Sequence, residues 1–188
     1  LATLISCTNQ CAQKTECSQP RKPKNVIFLI GDGMGLNQVY AGMTANGGHL
    51  NIERCTHVGL AKTYSANSYI TDSAAGGTAL ASGNKTNNGM IGMNADSVVV
   101  KSILEMAEEA GMATGLVATV RITHATPAAF YAHQINRSMY EEIAAEMLTS
   151  GVDFFVGGGR NNFEVRKDSL NYSDSLRNAN YNIVYSID

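Results

Sequence analysis

The chain has 188 residues, 44% hydrophobic and 16% charged, with 18 glycines, which places it among single globular domains and outside the disordered and collagen-like classes. Fourteen basic against 16 acidic residues give a formal net charge of −2, and no basic run exceeds Arg21-Lys22-Pro23-Lys24, so composition offers no footprint for nucleic acid or a membrane surface. Attraction for a charged substrate must therefore be local.

Residues 1–23 differ in character from the rest of the chain. Leu1 to Cys7 is a short apolar run closing on small residues and a cysteine, like the end of a signal peptide whose start has been clipped, since no Met or basic region precedes it. Leu4-Ile5-Ser6-Cys7 resembles a bacterial lipobox, in which Cys7 would carry the lipid; a plain secretory signal is the alternative. Either way the expected location is exported, in the periplasm or on the outer surface, with or without a lipid anchor at Cys7. Three of the four cysteines, Cys7, Cys11 and Cys17, lie in this leader, and Cys55 stands alone in the body. Their spacing matches neither a zinc knuckle nor a disulfide framework. Residues 13–24 read as a polar tether ending in prolines, and no segment reaches the roughly 18 apolar residues of a membrane-spanning helix. The expected division is 1–23, leader and tether, and 24–188, body.

In the body, Asn25-Val26-Ile27-Phe28-Leu29-Ile30 is a continuous, largely β-branched apolar run stopping at Gly31-Asp32-Gly33-Met34-Gly35. It predicts a strand buried on both faces, with Asp32 at its C-terminal end, where ligands collect in open α/β sheets. A helix over 36–45 comes next, then irregular chain to Ser68, then a helix from Ser73 to about Ser82 ended by Gly83. Residues 97–110 are amphipathic and predict a helix closed by Gly111; 113–120 predict a strand. Further helices are expected over 127–135 and 140–149, a strand over 154–156 running into Gly157-Gly158-Gly159, and a last strand over 182–185. Strands alternating with helices of this length predict an α/β fold with a mostly parallel central sheet flanked by helices on both faces.

The most informative stretch is Ile70-Thr71-Asp72-Ser73-Ala74-Ala75-Gly76-Gly77-Thr78-Ala79. An Asp or Ser before an Ala-rich run is a good helix N-cap, and the small residues leave room for an anion to reach the first-turn N–H groups, which would face Ser73 to a phosphate. An ordinary capped helix explains these ten residues equally well. Two further pieces end at the expected active edge: Asp32, and His124-Ala125-Thr126 after Arg121, with Arg137 thirteen residues beyond His124. Each type has a use. An arginine fork grips a phosphate dianion, an aspartate bridges divalent cations, and a serine needs a metal or a base to become a nucleophile.

From Lys24 to about Arg160 the chain resembles the alkaline phosphatase family. Lys24 to Gly35 resembles the family's metal-binding first strand, and Thr71-Asp72-Ser73-Ala74-Ala75 with Thr78-Ala79 its phosphoserine signature. Gly83-Asn84-Lys85-Thr86 with Gly89 and Gly92 continues that pattern. His124-Ala125-Thr126-Pro127-Ala128, Ala132-His133 and Asn136-Arg137 resemble the segment bearing magnesium and phosphate ligands, and 153–160 resembles the glycine triplet. The resemblance implies that Ser73 is transiently phosphorylated, that Asp32 bridges a zinc and the magnesium, and that Thr126 ligates magnesium. It implies that Arg137 clamps two phosphate oxygens while Asp72 orients it, and that His124 belongs to the magnesium site, directly or through water. It further implies two Zn2+ and one Mg2+ in a complete enzyme, phosphate monoesters and inorganic phosphate as partners, no nucleic acid, and a homodimer. The family's other zinc ligands, an Asp-x-x-x-His pattern, an Asp-His pair and a late histidine, are absent from this sequence. The expectation is an N-terminal portion of the catalytic domain, incomplete at its C-terminus and by itself inactive.

Three other readings compete. A dinucleotide-binding turn at Gly31-Asp32-Gly33 is excluded because the third glycine of G-x-G-x-x-G would fall at Leu36. A truncated, noncatalytic phosphate-binding protein stays open, as does a sulfatase or phosphomutase of the same superfamily. His49 and His133 read as solvated or packed histidines, His57 has no motif around it, and Arg160 reads as a surface or capping residue.

Overall fold

The structure is a computed structural model that describes residues 24–186. The predicted leader, the lipobox with Cys7, and the tether up to Pro23 lie outside the described residues. The described chain divides into two units, the first ending at Gly33 and the second beginning at Met34.

In the first unit, residues 25–31 take up no regular secondary structure and a turn forms at Asp32 and Gly33. The buried strand predicted over 25–30 is not formed: Val26, Ile27, Phe28 and Leu29 are all exposed. β-Branched residues favour extended backbone, but a strand exists through its ladder, and the sheet among the described residues does not include this run.

The second unit opens with α1, Leu36–Ala45, and a 3-10 turn, Asn51–Arg54. Then comes α2, Ser73–Ser82, capped by Asp72 and ended by Gly83. Helix α3 is Ile103–Glu109, shorter than the amphipathic pattern suggests. Ser102 and Glu105 form a reciprocal capping box that starts it late, and Val99 bridges to Met93, holding the preceding residues extended. β1, Gly115–Arg121, pairs in parallel with β2, Phe154–Gly158, as expected of βαβ units. Between them lie α4, Ala125–Ala128, and α5, Tyr140–Met147. Two short helices complete the order, α6, Asn161–Glu164, and α7, Tyr172–Asn178, the latter capped by the Asn171 side chain. The strand expected over 182–185 finds no partner among the described residues, and Tyr185 instead bonds Arg177 and Glu164.

The helix predicted over 127–135 is a correction with a visible cause. Only one turn forms, because the next residues have stronger claims on their backbone. Gln134 exchanges both hydrogen bonds with Ile91 at 2.8 and 2.9 Å, and the His133 N–H donates to Glu146 Oε2 at 2.8 Å. Burial of the sheet is also partial, since Val117, Val120, Phe154 and Val156 remain exposed. The core lies instead around Ile91, Ile143, Met147 and Val152.

Gly92 makes that core possible. Its φ of +60° is left-handed, and a Cβ there would lie 2.2 Å from the Ala132 carbonyl oxygen. Gly92→Ala is expected to destabilise the chain by at least about 2 kcal/mol, because neither the backbone angle nor the contact can relax locally. Thermal unfolding of the variant measures this; an unchanged midpoint would contradict the packing described.

Candidate active site

The start of α2 is built by Asp72. Its Oδ1 accepts the Ala75 N–H at 2.9 Å, the N-cap bond its position predicts. Its Oδ2 accepts the Gly89 N–H and Arg137 Nη1, both at 3.0 Å. Its own N–H donates to Asn88 Oδ1 at 3.1 Å, and the Asn88 amide reaches back to the Ile70 carbonyl at 2.9 Å. One carboxylate thus holds a helix start, a turn and a guanidinium, and Ser73 is the next residue, half-buried at the first helical position.

Small residues bring α4 onto this helix. Ala74, Ala75, Gly77, Thr78 and Ala81 form the buried face of α2. A Cβ on Gly77 would sit 3.2 Å from Ala129 Cβ and 3.4 Å from Thr126 Cα, so the glycine permits the close approach. That approach carries the His124 to Thr126 turn toward the start of α2. His124 Nε2 lies 3.4 Å from Arg137 Nη2. An arginine can only donate, so the imidazole is the acceptor wherever the two are hydrogen-bonded. The guanidinium is steered from both ends, by Asp72 and by His124, and the ion pair is about three-quarters shielded from water.

Within the second unit, Asp72, Ser73, His124, Thr126 and Arg137 are gathered where α2, α4 and the segment after Tyr131 meet. Asp32 belongs to the first unit, in its closing turn. For divalent cations the fit is incomplete: no three His, Cys, Asp or Glu side chains form a ligand group among the described residues. Of the expected ligands in the second unit, His124 has its Nε2 beside the guanidinium of Arg137. What the arrangement offers is a positive corner, made of a guanidinium and a helix N-terminus, beside a serine hydroxyl. Asn88 is a site-building residue with only a weak sequence signal, the Asn87-Asn88-Gly89 turn run.

A second polar cluster lies close by. His133, expected to be solvated or packed, is partly buried between two carboxylates, with Nε2 3.5 Å from Glu105 Oε1 and Nδ1 3.5 Å from Glu146 Oε2. The hydrogen bond to Glu146 raises the imidazole above its usual value of 6.5, against the opposing effect of burial, with Glu105 adding to the rise. Burial alone would raise Glu146, but bonds from His133 and Gln134 outweigh it and hold the carboxyl below its usual 4.5. The imidazolium therefore stabilises the fold fully below pH 6.5, and that stability fades as pH rises through the elevated folded value. The Glu146 contribution is present above pH 4.5 and fades as pH falls through its lowered value. Unfolding by urea should show a plateau between the two, and His133→Gln should flatten the alkaline side; an alkaline limb unaltered in the variant would contradict this.

The family model described as alkaline phosphatase matches residues 23–186. Alkaline phosphatase 4 of Bacillus subtilis is 39% identical over 92% of this chain and 41% of its own length. Alkaline phosphatase 4 of Drosophila melanogaster is 37% identical over 83% of this chain and 29% of its own. Among solved structures, the alkaline phosphatase of the Antarctic bacterium TAB5 superposes with a TM-score of 0.83 at 48% identity, covering 86% of this chain and 47% of that one. A variant of that enzyme with Mg bound superposes with a TM-score of 0.82. The chain thus spans less than half the length of these relatives.

Proposed function

This chain belongs to the alkaline phosphatase family, and from that premise we propose that the whole protein hydrolyses phosphate monoesters through a phosphoserine formed at Ser73. The observation that carries the proposal is the bond of Arg137 Nη1 to Asp72 Oδ2 at 3.0 Å, which aims a guanidinium at the helix start bearing Ser73. Arg137 donates its remaining N–H groups to two equatorial phosphate oxygens, and the N-terminus of α2 adds partial positive charge. Asp72 and His124 hold the guanidinium so that it need not reorganise as charge develops. The Ser73 oxygen forms the bond to phosphorus while the ester oxygen leaves in line and takes up a proton as the alcohol; water then cleaves the phosphoserine to inorganic phosphate.

Zinc and magnesium are part of the proposal for the whole protein, and they supply positive charge that makes a serine hydroxyl or a water a better nucleophile at neutral pH. Asp32, His124 and Thr126 are this chain's proposed share of their ligands, a set too small to hold three ions. Export to the periplasm or the outer surface, and dimer formation, belong to the same proposal. The test is hydrolysis of a generic monoester by the gene product carrying this sequence with the rest of the family's length. Zinc-dependent release of inorganic phosphate is expected. Phosphate binding without metal and without hydrolysis would favour the noncatalytic alternative instead.

A further inference from the structure

His133 and Arg137 lie on one short ribbon with an anchor at each end. At the first anchor, Glu146 accepts the His133 N–H at 2.8 Å and Gln134 Nε2 at 2.5 Å, while its Oε2 also faces the imidazole. In the middle, Gln134 pairs with Ile91. At the second, the Arg137 N–H donates to the Gly89 carbonyl at 2.7 Å, and the Gly89 N–H donates to the carboxylate of Asp72 that receives the guanidinium. Whatever holds His133 in place thus sets where Arg137 leaves the backbone.

The first anchor depends on charge. A neutral imidazole has one N–H and one lone pair, but here both ring nitrogens face carboxylate oxygens, Glu105 on α3 and Glu146 on α5. Only the imidazolium satisfies both. The other ionisable groups nearby do not replace it: Lys101 is paired with Glu109, and buried Tyr131 donates to the Ile122 carbonyl. Loss of the proton leaves a lone pair against a carboxylate and two acidic side chains without their shared cation, and the carboxylate so repelled also anchors residues 133 and 134.

We propose that His133, as an imidazolium between Glu105 and Glu146, is a positioning residue that fixes the aim of Arg137, so the grip on phosphate weakens when this one side chain loses its proton. The effect on phosphate rests on the role given to Arg137 above; the effect on Arg137 itself does not.

The test uses the metal-supplied whole protein labelled with 15N, with the His133 ring and Arg137 Nε signals followed from about pH 5 to about pH 9 and inorganic phosphate as the probe. The Arg137 signal is expected to shift at the His133 midpoint, and the phosphate Kd to rise about fivefold across it, beyond what phosphate ionisation accounts for. His133→Gln should remove this step, and a step that survives in the variant counts against the proposal. Glu105→Gln, which keeps the imidazole, should move both midpoints together to lower pH. An Arg137 signal flat through the His133 titration, or an Arg137 midpoint unmoved by Glu105→Gln, overturns the proposal. An Arg137 signal that tracks His133 while phosphate binding does not change supports the strut and refutes the phosphate role of Arg137.

Discussion

Ser73→Ala is expected to reduce monoester turnover by about four orders of magnitude or more in the whole protein, while leaving the fold intact. The size comes from the role. A nucleophile that forms the covalent intermediate has no substitute in this corner, where the neighbouring groups are a carboxylate, a guanidinium and an imidazole that hold one another. The stability should change little, because alanine is a good helix former and the capping oxygen belongs to Asp72, one residue earlier. Initial rates on a generic monoester beside thermal melts of the same samples separate the two effects. A variant that melts normally and keeps parental turnover would remove Ser73 from the chemistry.

Asp72→Ala should produce the opposite balance, a loss of stability and of phosphate grip together. The substitution deletes the N-cap of α2, typically worth about 1 kcal/mol. It also strips the Gly89 N–H of its acceptor and leaves Arg137 without its carboxylate in a half-buried site. A total near 3 kcal/mol is expected on these terms. Asp72→Asn discriminates among them, since an amide oxygen still caps the helix but carries no charge to hold the arginine. It should recover most of the stability and little of the phosphate affinity. Urea titrations with phosphate binding on both variants measure this, and equal affinity in Asp72→Asn and parent would mean that Arg137 is aimed by something else.

The centre of the site was legible because its signals are local. Asp72 next to Ser73 and a run of Ala and Gly specifies a capped helix with a bare face, and that is how α2 forms and packs on α4. Arg137 stood out by residue type, but its partners could not be read from the sequence, since they lie 65 and 13 residues away. What depends on pairing was illegible. The apolar run 25–30 has the composition of a strand and no ladder, and the Ala-rich start at Pro127 promises a helix that Ile91 and Glu146 interrupt by taking the backbone of Gln134 and His133. His133 looks unremarkable in sequence for the same reason: its carboxylates come from α3 and α5, and only the fold brings them to the ring. The two-zinc, one-magnesium expectation stands on resemblance alone, for the described residues assemble no ligand group.

Acid quenching of the metal-supplied whole protein during turnover of a phosphate monoester, with peptide mass spectrometry of the quenched samples, tests the central claim most directly. The account predicts a phosphoryl group on the peptide carrying Asp72-Ser73-Ala74, located at the Ser73 hydroxyl and absent from Ser73→Ala. Sustained hydrolysis with that peptide unmodified at every quench time would contradict it.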